Sequence, residues 1–285
     1  MIKVTGLFIY PVKSLGGISV NQAQLGKRGF LYDREWQIVD RNNRFVSQRE
    51  IAKMALIHTN IDEAKNVLTL SLPKTDEAKS GTVKPPGDSD EHFKLLNIPL
   101  AQRAGAEEIS VTVWDDSAQA TVESAEVNES LSKFLGADLR LMRMTPAYRR
   151  QVDEAYAPGE NNIVGFADGF PLLIIGEESL DDLNDRLEYP ILMNRFRPNI
   201  TTSGGGAFGE DTWGKIKIRD VELSLVKPCA RCVITTVDQE SGVQGKEPLR
   251  TLANYRKKDG KILFGQNAVF DHPGKVEIGD TVLVN

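Results

Sequence analysis

Cys229-Ala230-Arg231-Cys232 holds both cysteines of the chain, three residues apart, with Lys227-Pro228 ahead of them and the cation Arg231 between them. Cationic neighbours favour the thiolate, the form of cysteine that attacks electrophiles or binds soft metals. A structural reading of the pair is two small buried residues or a disulfide. A structural zinc site needs four ligands, and His58, His92 and His272 are scattered without ligand spacing. A thioredoxin-type pair opens a helix, whereas Val233-Ile234-Thr235-Thr236-Val237 is β-branched and predicts a strand over 233–237. Haem attachment puts a histidine after the second cysteine, where this chain has Val233. Two functional readings remain: a thiolate that completes the coordination of a metal carried mostly by something else, or a sulfur-carrying thiol.

Three basic residues sit in turn contexts. Lys13 follows Tyr10-Pro11-Val12, Arg34 lies between Asp33 and Glu35, and Arg197 precedes Pro198-Asn199. Loops beyond strand ends commonly carry binding residues. Arginine grips a phosphate with a planar fork, lysine adds a point charge, and Ser14 and Asn199 would add neutral hydrogen bonds. Each cation alone reads more readily as an ordinary surface charge. Gly204-Gly205-Gly206 matches no nucleotide-binding pattern. It reads as a connector or as a loop at the rim of a site, with Phe208 and Trp213 packing beneath it.

Positioning these residues falls to many short strands, predicted over 4–10, 18–25, 36–40, 56–62, 67–72 and 109–113. That density implies a barrel or sandwich. Residues 74–91, rich in Lys, Asp, Ser, Gly and Pro, predict a long exposed loop. A helix is expected over 123–135, with Val127, Leu131, Phe134 and Leu135 on one face and Gly136 ending it. After an irregular stretch, 149–168, come a strand at 171–175 and a helix at 178–187. Further strands are expected at 216–218, 222–226 and 281–284, a helix at 249–255 and a glycine-rich loop at 201–209. The fold class is mainly β with some α, an N-terminal β-barrel domain (1–125) followed by a second barrel-like domain (126–285).

The 285 residues suffice for one large or two modest domains, and the net charge of -5 is mild. Basic residues form no stripe, so no nucleic-acid partner is expected. No apolar run approaches a membrane span, and the N-terminus reads directly into a strand without a signal-peptide profile. Two cysteines in that context fit a reducing, cytoplasmic location.

Taken together, the motifs resemble the MOSC family, in the form that joins an N-terminal β-barrel domain to a MOSC domain. The resemblance is carried by Tyr10-Pro11-Val12-Lys13-Ser14, Asp33-Arg34 before Trp36, Phe166-Ala167-Asp168-Gly169-Phe170-Pro171 and Arg197-Pro198-Asn199-Ile200. It continues through Glu210-Asp211-Thr212-Trp213, Pro228-Cys229-Ala230-Arg231-Cys232, Thr235-Thr236-Val237-Asp238, Phe264-Gly265-Gln266-Asn267 and Gly279-Asp280, in the family's order and over nearly the whole chain. The resemblance implies a molybdenum-cofactor (molybdopterin) enzyme related to the amidoxime-reducing components. By that resemblance Cys232 is the protein ligand to molybdenum. Lys13, Ser14, Arg34, Arg197 and Asn199 hold the pterin and its phosphate. Gly169 and Phe170 contribute through backbone groups, and Ala230 and Arg231 flank the metal. Asn267 also belongs to the set, but stands where animal members carry a tyrosine, so their substrate range does not transfer. Cys229 defaults to a buried structural role.

The implied reaction is reduction of small N-hydroxylated or N-oxide compounds. With no cysteines left for an iron–sulfur cluster, electrons are expected from a separate donor protein, ferredoxin-like or a flavoprotein reductase. Asp238 and Asp211 are guesses for proton delivery. The alternatives are a sulfur-transfer protein working through a Cys232 persulfide, and a non-catalytic carrier of the cofactor.

Overall fold

The computed structural model describes residues 1–74, 92–102, 105–157 and 162–285. The fold is mainly β, and its centre is a closed barrel of seven strands. Their order around the barrel is Leu172–Gly176, Ile200–Ser203, Ile2–Ile9, Thr281–Val284, Lys215–Ile218, Val221–Ala230 and Lys261–Phe270. Leu173 opposite Asn267 closes the ring. The chain therefore does not keep its two halves apart in space: its first strand lies between Ile200–Ser203 and Thr281–Val284.

All five positions of Leu172–Gly176 are buried. Period-two alternation sends Leu172 and Ile174 into the barrel with Val4, Leu7, Ile216 and Val282. Leu173 and Ile175 face outward into a second core with Leu183, Phe196 and Phe264. A strand covered on both faces reads as a continuous apolar run. The outer layer holds helix Glu177–Asn184, and Phe196 stacks on Phe264 at 4.2 Å between ring centres.

At the barrel seam Gly265 has φ +78°, and a Cβ there would lie 2.6 Å from Ile175 Cγ1 and 2.9 Å from the Ile174 carbonyl oxygen. Left-handed strain and overpacking then act together. Gly265→Ala is expected to cost about 3 kcal/mol, read as a lower urea midpoint at unchanged m-value.

Outside the barrel lie a sheet in the order Trp36–Val39, Arg140–Met144, Asp116–Val122, Glu108–Val113, and a smaller one of His58–Asp62, Val67–Pro73 and Phe93–Pro99. Helix Ala125–Leu135 covers them with the expected face, Val127, Leu131, Phe134 and Leu135. Ser124 caps its N-terminus by accepting from the Val127 N–H, and Gly136 ends it at φ 74°.

Several expectations need correction. Residues 233–237 do not form a strand: Val233–Thr236 is a 3-10 turn. Thr235 Oγ1 donates to the Cys232 carbonyl at 3.0 Å and Thr236 Oγ1 to the Val233 carbonyl at 2.7 Å, local bonds that override β-propensity. The expected strand at 18–25 is split into Ile18–Val20 and Gln22–Gln24, and the loop at 201–209 begins as strand Ile200–Ser203. Asp116–Val122 was not expected because its alternating apolar positions are mostly alanine, Ala118 and Ala120, a weak β-former. The loop expected over 74–91 lies, from residue 75 on, outside the described residues.

Candidate functional site

One open cavity, with about 840 Å³ of empty space counting its mouth, lies where the barrel meets the N-terminal sheets. All eleven residues named from the sequence line it: Lys13, Ser14, Arg34, Gly169, Phe170, Arg197, Asn199, Ala230, Arg231, Cys232 and Asn267. Arg49, Arg195 and Asp168 join them, giving six basic side chains (Lys13, Arg34, Arg49, Arg195, Arg197, Arg231) and one carboxylate.

Each basic group is held by the fold. Ser14, Arg34 and Arg197 adopt φ values of 69°, 49° and 56°, left-handed conformations that are uncommon outside glycine and cluster at functional sites. The Arg34 N–H donates to the Tyr10 carbonyl at 2.8 Å. Its guanidinium donates to both oxygens of buried Asp33 at 2.8 and 2.7 Å, and to Asn199 Oδ1 at 3.1 Å. Asn199 also donates to the Phe8 carbonyl and accepts from the Leu173 N–H, so it ties Arg34 to two barrel strands. The guanidinium carbons of Arg34 and Arg197 each lie 4.3 Å from the centre of the Tyr10 ring. Burial pushes the Tyr10 hydroxyl up to about 12 and brings Arg197 down to about 10, which leaves Arg197 cationic at neutral pH.

Arg231 follows strand Val221–Ala230. Its Nε donates to the Phe264 carbonyl at 2.9 Å and its Nη1 to the Phe196 carbonyl at 3.1 Å. Arg197 Nη1 donates to the Leu15 carbonyl at 2.7 Å. The second terminal nitrogen of each arginine, Nη2, is buried without an acceptor. Buried donors are normally paired, so these two cavity-wall guanidiniums await an acceptor.

Cys232 starts the 3-10 turn in extended conformation, and its Sγ accepts a hydrogen bond from Arg49 Nη2 at 3.2 Å. Cys229 is not fully buried as expected; it is half-buried and lines the same cavity. Burial nonetheless pushes its thiol pKa up, which disfavours its thiolate.

Buried Lys13 donates to the Phe166 carbonyl at 2.8 Å and pairs with Asp168. Arg150 clamps the segment carrying Asp168, Gly169 and Phe170 through the carbonyls of Gly165, Ala167 and Asp168. Burial raises the Asp168 pKa, but Lys13, Trp114 and Arg49 outweigh it and hold the carboxyl below the usual carboxylate range. A depressed carboxyl stabilises the folded state above its unfolded pKa and loses that contribution as pH falls. Asp168→Asn should therefore lower stability at neutral pH by about 1 kcal/mol, a figure kept small because that side chain is 61% exposed. The gap should narrow below about pH 4, as urea midpoints across pH would show.

Asp211 and Asp238 do not reach the cavity. Gln266 donates to Asp211 at 2.7 Å and Arg256 pairs with it, while Arg195 holds Asp238 at 2.8 Å. The glycine-rich loop is likewise absent from the cavity lining: the Gly204 N–H donates to Glu178, and Gly205 packs on Trp213. Arg49, Arg195, Asp168 and Trp114 escaped the sequence reading because ordinary charged or exposed positions carry no local signal. The left-handed backbone at Ser14, Arg34 and Arg197 was equally silent.

Two family models match successive stretches of the chain. The MOSC N-terminal beta barrel domain matches residues 1–138 and the MOSC domain residues 161–283. Human mitochondrial amidoxime-reducing component 1 is 34% identical over 297 residues, covering 98% of this chain and 82% of that protein. The chain belongs to the MOSC family. The mouse mitochondrial amidoxime-reducing component 1 matches at the same 34% identity, over 98% of this chain and 81% of that protein. Molybdenum cofactor sulfurase of Arabidopsis thaliana is 31% identical over 90% of this chain, which spans only 32% of that longer protein. Of these relatives, the sulfurase is named for the molybdenum cofactor.

Proposed function

We infer that this MOSC protein is a molybdenum-cofactor oxidoreductase that reduces small N-hydroxylated or N-oxide compounds with electrons from a separate donor protein. The carrying observation is Cys232 in a cavity walled by six basic side chains, two of them with buried N–H groups that lack an acceptor. Asp33, Asp168 and Asp238 pair with Arg34, Lys13 and Arg195, and the positive charge of the other three arginines suits a large anion rather than a bare divalent cation. A single soft sulfur among them suits a metal that arrives inside such an anion. The residues present thus fit a pterin that carries phosphate and dithiolene sulfur.

Cys232 would supply the protein sulfur. Arg197, Arg231, Lys13 and Arg34 would bind and orient the anionic group, with Ser14 and Asn199 fixing the loops that carry them. Gly169, Phe170 and Ala230 would shape the walls, and Asn267 the side from which substrate approaches. When bound, the cofactor supplies a metal centre that takes oxygen from the substrate between two oxidation states. Asp168 is the carboxylate of the cavity, and it stays ionised beside Lys13, so the pair can hold a proton on Lys13 Nζ in the cavity wall. Cys229 and Cys232 are free thiols, which is compatible with a reducing compartment such as the cytoplasm. Among the described residues, no helix is long and apolar enough to cross a membrane.

The test is metal and oxidised-pterin analysis of protein from a host that makes the cofactor, followed by reduction of an N-hydroxylated amidine with a chemical reductant. Near-stoichiometric molybdenum with turnover supports the reading. Folded protein without molybdenum overturns it. The sulfurase match favours a second reading, sulfur transfer through a Cys232 persulfide, which would show as one added sulfur by mass on metal-free protein.

A further inference from the structure

The nearest cation to the Cys232 sulfur comes from far away in sequence. Arg49 follows Gln48, whose side chain is held on two sides. Gln48 Nε2 donates to the Ser14 carbonyl at 2.8 Å, and the Gln48 and Gln239 side chains bond each other at 3.2 and 3.0 Å. From that anchor the Arg49 guanidinium reaches across the cavity. Its Nη2 lies 3.2 Å from Cys232 Sγ, but 3.9 Å from Asp168 Oδ2. The sulfur, not the carboxylate, receives its hydrogen bond.

A second observation concerns Trp114, at the tip of the hairpin Glu108–Val113 and Asp116–Val122. It is 47% exposed, its backbone is left-handed at φ 57°, and its ring lies 4.4 Å from the Arg49 guanidinium carbon. Trp114 Nε1 donates to Asp168 Oδ1 at 3.0 Å, and Phe45 supports the ring edge-on at 5.0 Å. A strained, half-exposed tryptophan contributes little to a core. Here it fixes one guanidinium plane, and its partner Asp168 fixes the charge beside it.

We propose that Arg49 is a positioning residue for the Cys232 sulfur and, through its hydrogen bond, sets how strongly that sulfur donates to a metal bound there. Trp114 and Asp168 hold Arg49 in the orientation this needs. The proposal rests on the molybdenum reading above. A hydrogen bond to a metal-bound thiolate withdraws electron density from the sulfur–metal bond, and weaker donation makes the centre easier to reduce. The N-terminal half, which contributes no sulfur, thus tunes the centre held by the barrel.

The test uses full-length protein loaded with molybdenum, comparing Arg49→Met, Arg49→Lys and Trp114→Ala with the parent. Metal content is measured first, then the midpoint potential and the g values of the paramagnetic molybdenum signal. The expected result is a more negative potential and altered g values in Arg49→Met, partial restoration in Arg49→Lys, and an intermediate shift in Trp114→Ala. Should Arg49→Met fail to fold, the other two carry the test, with both expected to deviate from the parent. Loaded variants matching the parent in potential and g values would overturn the proposal while leaving the functional reading intact. A parent protein that binds no molybdenum would overturn the functional reading, and this inference with it.

Discussion

Cys232→Ser is expected to fold like the parent and to lose at least ~100-fold in retained molybdenum, with turnover falling below detection. A hydroxyl is a hard, neutral ligand in place of a soft thiolate, while the backbone at this position needs no change. Cys232 sits in extended conformation, and the following turn is held by hydroxyl bonds from Thr235 and Thr236 to the Cys232 and Val233 carbonyls. Those bonds do not involve the sulfur. Cys229→Ser should be mild, because burial keeps the Cys229 thiol protonated and Arg49 bonds Cys232 instead. Elemental analysis with circular dichroism melts on both variants checks this. Equal metal loss from the two would show that the assignment of one sulfur is wrong.

Arg197→Ala should weaken cofactor retention by roughly 10–100-fold, since a charge-assisted hydrogen bond contributes about 1.5–3 kcal/mol and each 1.4 kcal/mol is tenfold. The same substitution should change the stability of cofactor-free protein by less than about 1 kcal/mol. The lost bond to the Leu15 carbonyl and the Tyr10 contact are offset by removing a buried charge with one unpaired N–H. Arg197→Lys should not rescue binding. A lysine has no planar fork to lie on Tyr10, bond Leu15 and still present a donor to an anion. The check is a pair of thermal melts, with and without cofactor: the variant should lose the upward shift in Tm that binding gives the parent.

Much of this protein was legible in one dimension. Strand density and helix periodicity follow from nearest-neighbour chemistry, so the mainly β fold and a helix ending at Gly136 could be read directly, whereas its start at Ala125 after the Ser124 cap, two residues later than expected, could not. The Cys229–Cys232 spacing and the basic residues near Pro11, Asp33 and Pro198 marked the chemistry locally, and the family resemblance completed the eleven residues found among those that line the cavity. Local propensity misled at 233–237, where threonine hydroxyls found backbone carbonyls three residues back and turned a β-branched run into a 3-10 turn. What only the tertiary structure decided are the long-range pairings. Strand Ile2–Ile9 completes a barrel with strands near the C-terminus, Asp168 lies beside Lys13, and Arg49 reaches Cys232. Each depends on residues more than a hundred positions apart, brought together by barrel closure and by burial of the faces between the sheets. No pattern within a short window carries that information, because the energy that selects these contacts arises only once the surrounding surface has left water.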